Sequence, residues 1–181
     1  MIMFTSAAIV REKECGNHEF LITTPVKSIE LMIGKILPYI SIGLLQMTII
    51  LTLGHFVFHV PISGGLLSIL MATLVFIFAS LSLGLVVSTI AQTQLQSTQM
   101  TIFLLLPSIL LSGFMFPYDG MPYAVQWLSE ILPTTHFMRM IRAIVLRSAT
   151  IMDVKKDVLW LVCFGSIFLI IASIRFKKKL D

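Results

Sequence analysis

From Ile36 to Tyr118 the chain contains no Asp, Glu, Lys or Arg, a run of 83 residues without a formal charge. A water-soluble domain is about a quarter charged and must wet its surface, so it cannot carry such a run. In hydrocarbon the preference reverses, because a charge at mid-bilayer costs at least about 2.5–3.5 kcal/mol. One helix crosses the roughly 30 Å core with about 20 residues, so this stretch is long enough for about three crossings. Over the whole chain 57% of residues are hydrophobic and 12% charged. The apolar runs are continuous rather than alternating, which favours a helical bundle over a transmembrane barrel. The expected fold is an all-α integral membrane protein, a polytopic helical bundle.

Four full spans are expected, at about Ile36–Phe58, Leu66–Ile90, Met100–Phe116 and Val158–Ile174. A partial N-terminal span precedes them, because Met1–Val10 as a helix covers only about 15 Å. That segment has neither a basic leader nor a small-residue cleavage site, so it is not a signal peptide. The charged knot Arg11-Glu12-Lys13-Glu14 follows, with Gly16-Asn17 placed to end a helix. Pro25 turns the chain after Thr24. From Ser28 the residues Ile29, Met32, Ile33 and Ile36 form an apolar helical stripe that runs into the next span. On Leu66–Ile90, Ser80, Gly84 and Ser88 have the small-xxx-small spacing that lets membrane helices approach closely. An uncharged polar linker, Gln92–Gln99, leads to the third span.

Between the third and fourth spans lies 117–157. Asp119 is placed to cap a short helix from Pro122 to about Leu132, which Pro133 breaks. A second helix, about His136–Ser148, presents Phe137, Met140, Ile141, Ile144 and Val145 on one face, with Arg139, Arg142 and Arg147 away from it. Neither helix is long enough to span, so together they read as a re-entrant helical hairpin. With four spans, Arg11–Lys35 and the tail from Arg175 to Lys179 lie on one side and hold eight of the thirteen Lys and Arg. The positive-inside rule makes that side cytoplasmic and the hairpin external. Tyr118, Tyr123, Trp127 and Trp160 then gather at the outer interface.

Catalytic chemistry finds little support. The chain has no H-E-x-x-H, G-x-S-x-G, Cys-x-x-Cys or phosphate-binding G-x-x-x-x-G-K-[ST] motif. His55 and His59 are spaced for one helical face, but no carboxylate or thiol nearby completes a metal shell, and an interfacial role fits them better. Asp119 and Glu130 read as capping and solvated groups rather than an acid–base pair. Cys15 and Cys163 lie in different surroundings and do not pair. The excess of basic residues beside apolar segments points to anionic lipid headgroups rather than nucleic acid. A bundle with a structured polar segment joined directly to a span suits transport driven by a separate motor protein. An ordinary interfacial anchor explains that segment equally well.

Two blocks carry a resemblance. The first is Arg11-Glu12-Lys13-Glu14-x-Gly16-x-x-Glu19-x-Leu21-x-x-Thr24-Pro25-Val26 with Glu30-x-x-x-Gly34-Lys35-x-x-Pro38-Tyr39. The second runs from Leu111-Ser112-Gly113-x-x-Phe116-Pro117 through Met121-Pro122, Trp127-Leu128 and Pro133 to Phe137-x-x-x-Ile141-Arg142-x-Ile144-x-Leu146. In order and spacing they closely resemble the permease subunits of type-2 ABC exporters, nearest the bacterial drug-efflux branch. The resemblance implies six spans per subunit and two permease subunits, identical or different, working with two cytoplasmic ATPase subunits that bind the ATP and Mg. This chain itself would bind no cofactor. The segment 11–35 would carry the coupling helix, with Glu14, Gly16, Glu19, Thr24, Pro25 and Glu30 in or beside the docking surface. Asn17-His18 departs from the small or hydroxyl residue usual after that glycine. The region 117–157 would be the outer re-entrant pair, marked by Pro117, Asp119, Pro122, Pro133 and Arg142.

The expected role is therefore a non-catalytic, multi-pass inner-membrane permease exporting an amphipathic or hydrophobic substrate by alternating access. Gln46, Ser80, Thr101 and Phe114 are candidate path-facing residues, each with helix packing as its plainer role. Family members carry a first span and a large extracytoplasmic region ahead of the part resembled here. A truncated or split-gene membrane remnant without transport of its own is the alternative reading.

Overall fold

More than half of the apolar helix Leu66–Ile90 is buried, and five of the six other described α-helices pack against it. The computed structural model describes residues 1–14, 28–57, 59 and 65–177, with the backbone alone at 13, 28–33, 119, 176 and 177. In chain order the helices are α1 (Ile2–Glu14), α2 (Ser28–Phe56), α3 (Leu66–Ile90), α4 (Gln94–Leu111), α5 (Tyr123–Ile131), α6 (Pro133–Arg147) and α7 (Lys155–Lys177), with a 3₁₀ turn at Tyr118–Gly120. No strand occurs among the described residues.

Burial of α3 follows from its side chains. It carries no charge, and its small residues let neighbours reach its backbone. A Cβ on Gly84 would lie 3.0 Å from the Ile2 carbonyl oxygen and 3.2 Å from the Thr5 Cβ, so α1 crosses there. Ser80 and Ser88, on the same stripe, are buried. From the other side, Gly165 of α7 seats against Phe78 and Ala79, and Gly43 of α2 against Ile77. Without a hydrophobic drive between helices in lipid, such close backbone approach and its dispersion contacts are what hold the helices together.

Two core clusters fix the two ends of the bundle. One joins Ile9, Ile36, Ile77, Leu81, Leu85 and Ala172, from α1, α2, α3 and α7. The other joins Ile69, Ala72, Ala79, Met140, Ile144, Val154 and Leu161, from α3, α6 and the start of α7. The end of α1, the start of α2 and the end of α7 thus share one end of the bundle. The hairpin α5–α6 lies at the other. Met140 and Ile144 are fully buried and Phe137, Ile141 and Val145 pack beside them, the face expected from their spacing.

Several boundaries differ from expectation. Three helical stretches are long and apolar enough to cross a membrane: Gly34–Phe56, Leu66–Ile90 and Lys155–Arg175. The remaining expected span corresponds to α4, which starts six residues earlier and ends five earlier than Met100–Phe116. Its start is set by Thr93, whose side chain accepts the Gln96 amide at 3.2 Å, so most of the polar linker is helical. Its end is set by Ser112 and by Gly113 at φ 80°, a conformation glycine adopts without strain. In the first helix of the hairpin the N-cap position belongs to Pro122 rather than Asp119, which falls in the 3₁₀ turn. Pro133 does separate the two helices, but as the first residue of α6, where its missing N–H has no helical partner to lose. Finally, α2 ends at Phe56, so His59, at φ 51°, is not on the helix that bears His55.

Candidate functional site

Three regions carry the polar chemistry. At the first end, α1 continues as helix through Arg11-Glu12-Lys13-Glu14 instead of stopping at the charged knot. This aims Glu12 at Lys35 of α2, with which it forms an ion pair. It also aims Glu14 at the start of α4, where its carboxylate accepts the Gln94 backbone N–H at 2.9 Å. A carboxylate on the free amides of a helix N-terminus satisfies both an orphan donor and the helix dipole. Of the expected docking residues, Glu14 is therefore bonded to α4, and Glu30 lies on the first turn of α2. Gly16, Glu19, Thr24 and Pro25 lie outside the described residues.

In the middle, a groove of about 270 Å³ opens between α2, α3 and α6. Its walls are apolar, including Met47, Ile69, Phe76 and Phe137, and the Phe76 and Phe137 rings stack 4.1 Å apart. Gln46 and Thr73 are its polar groups, and the Thr73 hydroxyl is spent on the Ile69 carbonyl. The other candidate path residues do not line it. Ser80 is buried on α3, and Thr101 is buried with its hydroxyl 3.2 Å from that of Ser6 on α1. Phe114 is exposed in the turn after α4.

At the hairpin end, backbone groups that lipid cannot satisfy are met by side chains. The Ser129 hydroxyl donates to the Leu111 carbonyl (2.7 Å), the Thr134 hydroxyl to Ser108 (3.1 Å) and the Arg142 guanidinium to Gly113 (2.7 Å). These close the C-terminal end of α4, whose last carbonyls have no helical donor. Pro117 precedes the 3₁₀ turn, and Gln126 donates to the carbonyls of Tyr118 and Met121, fixing that turn to α5.

The same end holds a charge cluster that sequence patterning does not reveal. His136 is buried, with Nδ1 2.7 Å from the Asp157 carboxylate of α7 and Nε2 3.0 Å from the Glu130 carbonyl. Each ring nitrogen thus faces an oxygen acceptor, which fixes the orientation of the ring between α5 and α7. Arg139 pairs with Asp157 at 3.2 Å and with Glu130. The His136 ring stacks on Trp160 (4.1 Å), which continues into a column of Phe164 and Phe168 along α7. Burial alone would raise the Glu130 carboxyl. Hydrogen bonds from Arg139 and Tyr118 and the charges of Arg139 and His136 outweigh it and hold the group below the usual carboxylate range. Burial likewise opposes charge on Arg139, and the Glu130 and Asp157 carboxylates more than offset it.

Because folding depresses the Glu130 pKa, its contribution to stability is complete above the ordinary carboxylate value of about 4.3 and is lost as pH falls through the lower, folded value. Melting in detergent should thus stay level from neutral pH to about 5 and decline below about 4, with Glu130→Gln removing part of the decline. A decline of equal depth in the variant would assign the acid lability elsewhere.

Among the described residues no group of three or more His, Cys, Asp or Glu could hold a metal ion. With the geometry in view, the relatives are informative. The profile of the family described as "ABC-2 family transporter protein" matches residues 1–174. The chain is 31% identical over 180 residues to the "Probable multidrug ABC transporter permease YbhS" of Escherichia coli (strain K12), covering 99% of this chain and 48% of that protein. It is 33% identical over 183 residues to the "Inner membrane transport permease YhhJ" of the same strain, again covering 99% and 48%. A eukaryotic relative, "ABC transporter G family member 20" of Dictyostelium discoideum, is 30% identical over 146 residues, 81% of this chain and 20% of that protein. The chain thus spans about half the length of the bacterial relatives it matches. No solved structure matches it.

Proposed function

Since the chain belongs to the ABC-2 family of transporter proteins, we propose that it forms membrane-spanning permease structure of an ATP-driven exporter and has no catalytic activity itself. ATP and Mg would be bound by separate cytoplasmic ATPase subunits, and a second permease subunit, identical or different, would complete the pathway. The names of YbhS, a probable multidrug permease, and YhhJ, an inner-membrane transport permease, support a drug-like cargo and an inner-membrane location. The apolar groove beside Gln46 suits an amphipathic or hydrophobic cargo better than a charged one.

The observation that carries this reading is the continuity of α2. It is one helix from Ser28 to Phe56, so the end of the polar segment and the membrane rod are a single body. Glu12–Lys35 ties it to α1, and Glu14 ties α1 to α4. A force applied next to Ser28 therefore reaches three helices at once. The end bearing these contacts, with the tail of α7, would face the cytoplasm, and the hairpin the exterior. Glu19→Lys in the coupling segment should reduce capture of the partner ATPase about tenfold or more, the scale for reversing a charge at an interface. Pro25→Ala should reduce it less. Co-purification from cells producing the whole transporter checks this, and undiminished capture by both variants would refute docking through 11–35.

A further inference from the structure

Beside the charge cluster lies a second cleft, of about 360 Å³, formed by α6 and the turn that follows α4. Ser112, Gly113, Tyr118 and Thr135 contribute to its lining, and three arginines of α6 reach it: Arg139, Arg142 and Arg147. The volume is within the range of small-molecule sites, about 300–1,000 Å³.

The three cations are not equivalent. Arg139 is neutralised by Glu130 and Asp157 and lies 5.5 Å from the centre of the Tyr118 ring. Arg142 donates one nitrogen to the Gly113 carbonyl, which carries no formal charge. Arg147 stands in the last turn of α6 and is exposed. Among the described residues no carboxylate pairs with either Arg142 or Arg147. Asp153, on the connection to α7, accepts instead from the Thr150 amide and hydroxyl, both at 2.8 Å. Among the described residues, two positive charges thus face one cleft without a carboxylate partner.

The surroundings identify the anion. Met138, Ala143 and Leu146 give the cleft an apolar margin. Tyr123 and Trp127 on α5 are 84% and 78% exposed, the placement of aromatic side chains at the headgroup level of a bilayer. Guanidinium groups bind phosphoryl oxygens through two parallel, charge-assisted hydrogen bonds. We infer that this cleft binds the phosphoryl group of an anionic phospholipid-type amphiphile, held by Arg142 and Arg147 with its chains against Met138 and Leu146. The site depends on neither ATPase docking nor transport, and it can be tested while both are left aside.

Native mass spectrometry of the purified full chain in detergent, titrated with phosphatidylglycerol and with phosphatidylcholine, provides the measurement. Phosphatidylglycerol should bind more tightly, because the choline cation is repelled by the two arginines. Arg147→Gln should weaken phosphatidylglycerol at least about fivefold and Arg142→Gln more, the scale of a hydrogen bond to a charged group. Lys156→Gln, which removes an equal charge from the same end outside the cleft, should change binding less than about twofold. Arg142 also supports the Gly113 turn, so Arg147→Gln is the decisive variant if Arg142→Gln misfolds. An added excess of inorganic phosphate separates two sources of the same chemistry. Displacement of the lipid means the phosphoryl group alone is recognised, and persistence means the chains contribute. Equal weakening by Lys156→Gln and Arg147→Gln, or no weakening by either arginine variant, overturns the site.

Discussion

Replacing Asp157 with Ala should destabilise the bundle by about 3 kcal/mol or more, the scale for stripping one partner from a buried ion cluster. The carboxylate accepts from His136 and Arg139 at once, and its side chain is only 13% exposed. Its loss leaves His136 and Arg139 of α6 with Glu130 as their one remaining carboxylate partner among the described residues. It also releases the link between α6 and the start of α7, where the His136–Trp160 stack begins. Asp157→Asn keeps an acceptor for the ring and should cost less. Unfolding free energies from denaturant titration in mixed micelles would give both numbers. The double variant with His136→Ala should lose less than the sum of the single losses, since each removal unmakes the same contact. Strict additivity would mean that the two side chains are neighbours without being partners.

A second large effect is expected at Gly84. A Val there places its Cβ 3.0 Å from the Ile2 carbonyl oxygen and 3.3 Å from the Ile2 Cα, so backbone has to move. Overpacking of this kind costs about 1–3 kcal/mol. The loss should be local to α1, because that helix is what must retreat. Amide exchange along Thr5–Val10 should accelerate about tenfold or more while α7 keeps its protection, tenfold corresponding to about 1.4 kcal/mol. Gly34→Ala is the contrasting case. A Cβ on Gly34 meets nothing within 4 Å, and alanine favours a helix interior, so this variant should be neutral or up to about 1 kcal/mol more stable. Equal effects at the two positions would rule out close packing as the reason for glycine at 84.

These two cases also mark what patterning can and cannot reveal. The stripe Ser80, Gly84, Ser88 is visible in sequence because helix geometry sets its spacing, and the close crossing occurs there. The apolar face of α6 is visible for the same reason. The charge cluster is not: His136 and Asp157 are 21 residues apart, on different helices, and nothing periodic relates them. The available hint was an acid and a histidine, each close to aromatic residues, in a chain that keeps charge out of its long apolar run from Ile36 to Tyr118. Glu130 read as a solvated group for the same reason, since its partner Arg139 is set by the angle between α5 and α6. Errors at the ends of α4 came from local chemistry: Thr93 recruits Gln94–Gln99 into the helix, and Gly113 ends it before the apolar run is exhausted. At the two ends of the polar segment 11–35, Glu14 and Lys35 are bound by contacts across the fold, which a linear motif cannot express.

One feature of α2 bears on how strain can travel. Pro38 sits inside the helix without ending it, yet it has no N–H to offer the Gly34 carbonyl one turn earlier. The helix is thereby softened about two turns above its origin, in a stretch where Leu37 is exposed and Ile36 is clamped in the core. A tilt imposed at Ser28 can be taken up as bending at this elbow, while a thrust along the axis passes it undiminished to His55, about 40 Å away at 1.5 Å per residue. Such a rod filters its input by direction: sideways jostling is absorbed near one mouth of the protein, and axial strokes arrive at the other.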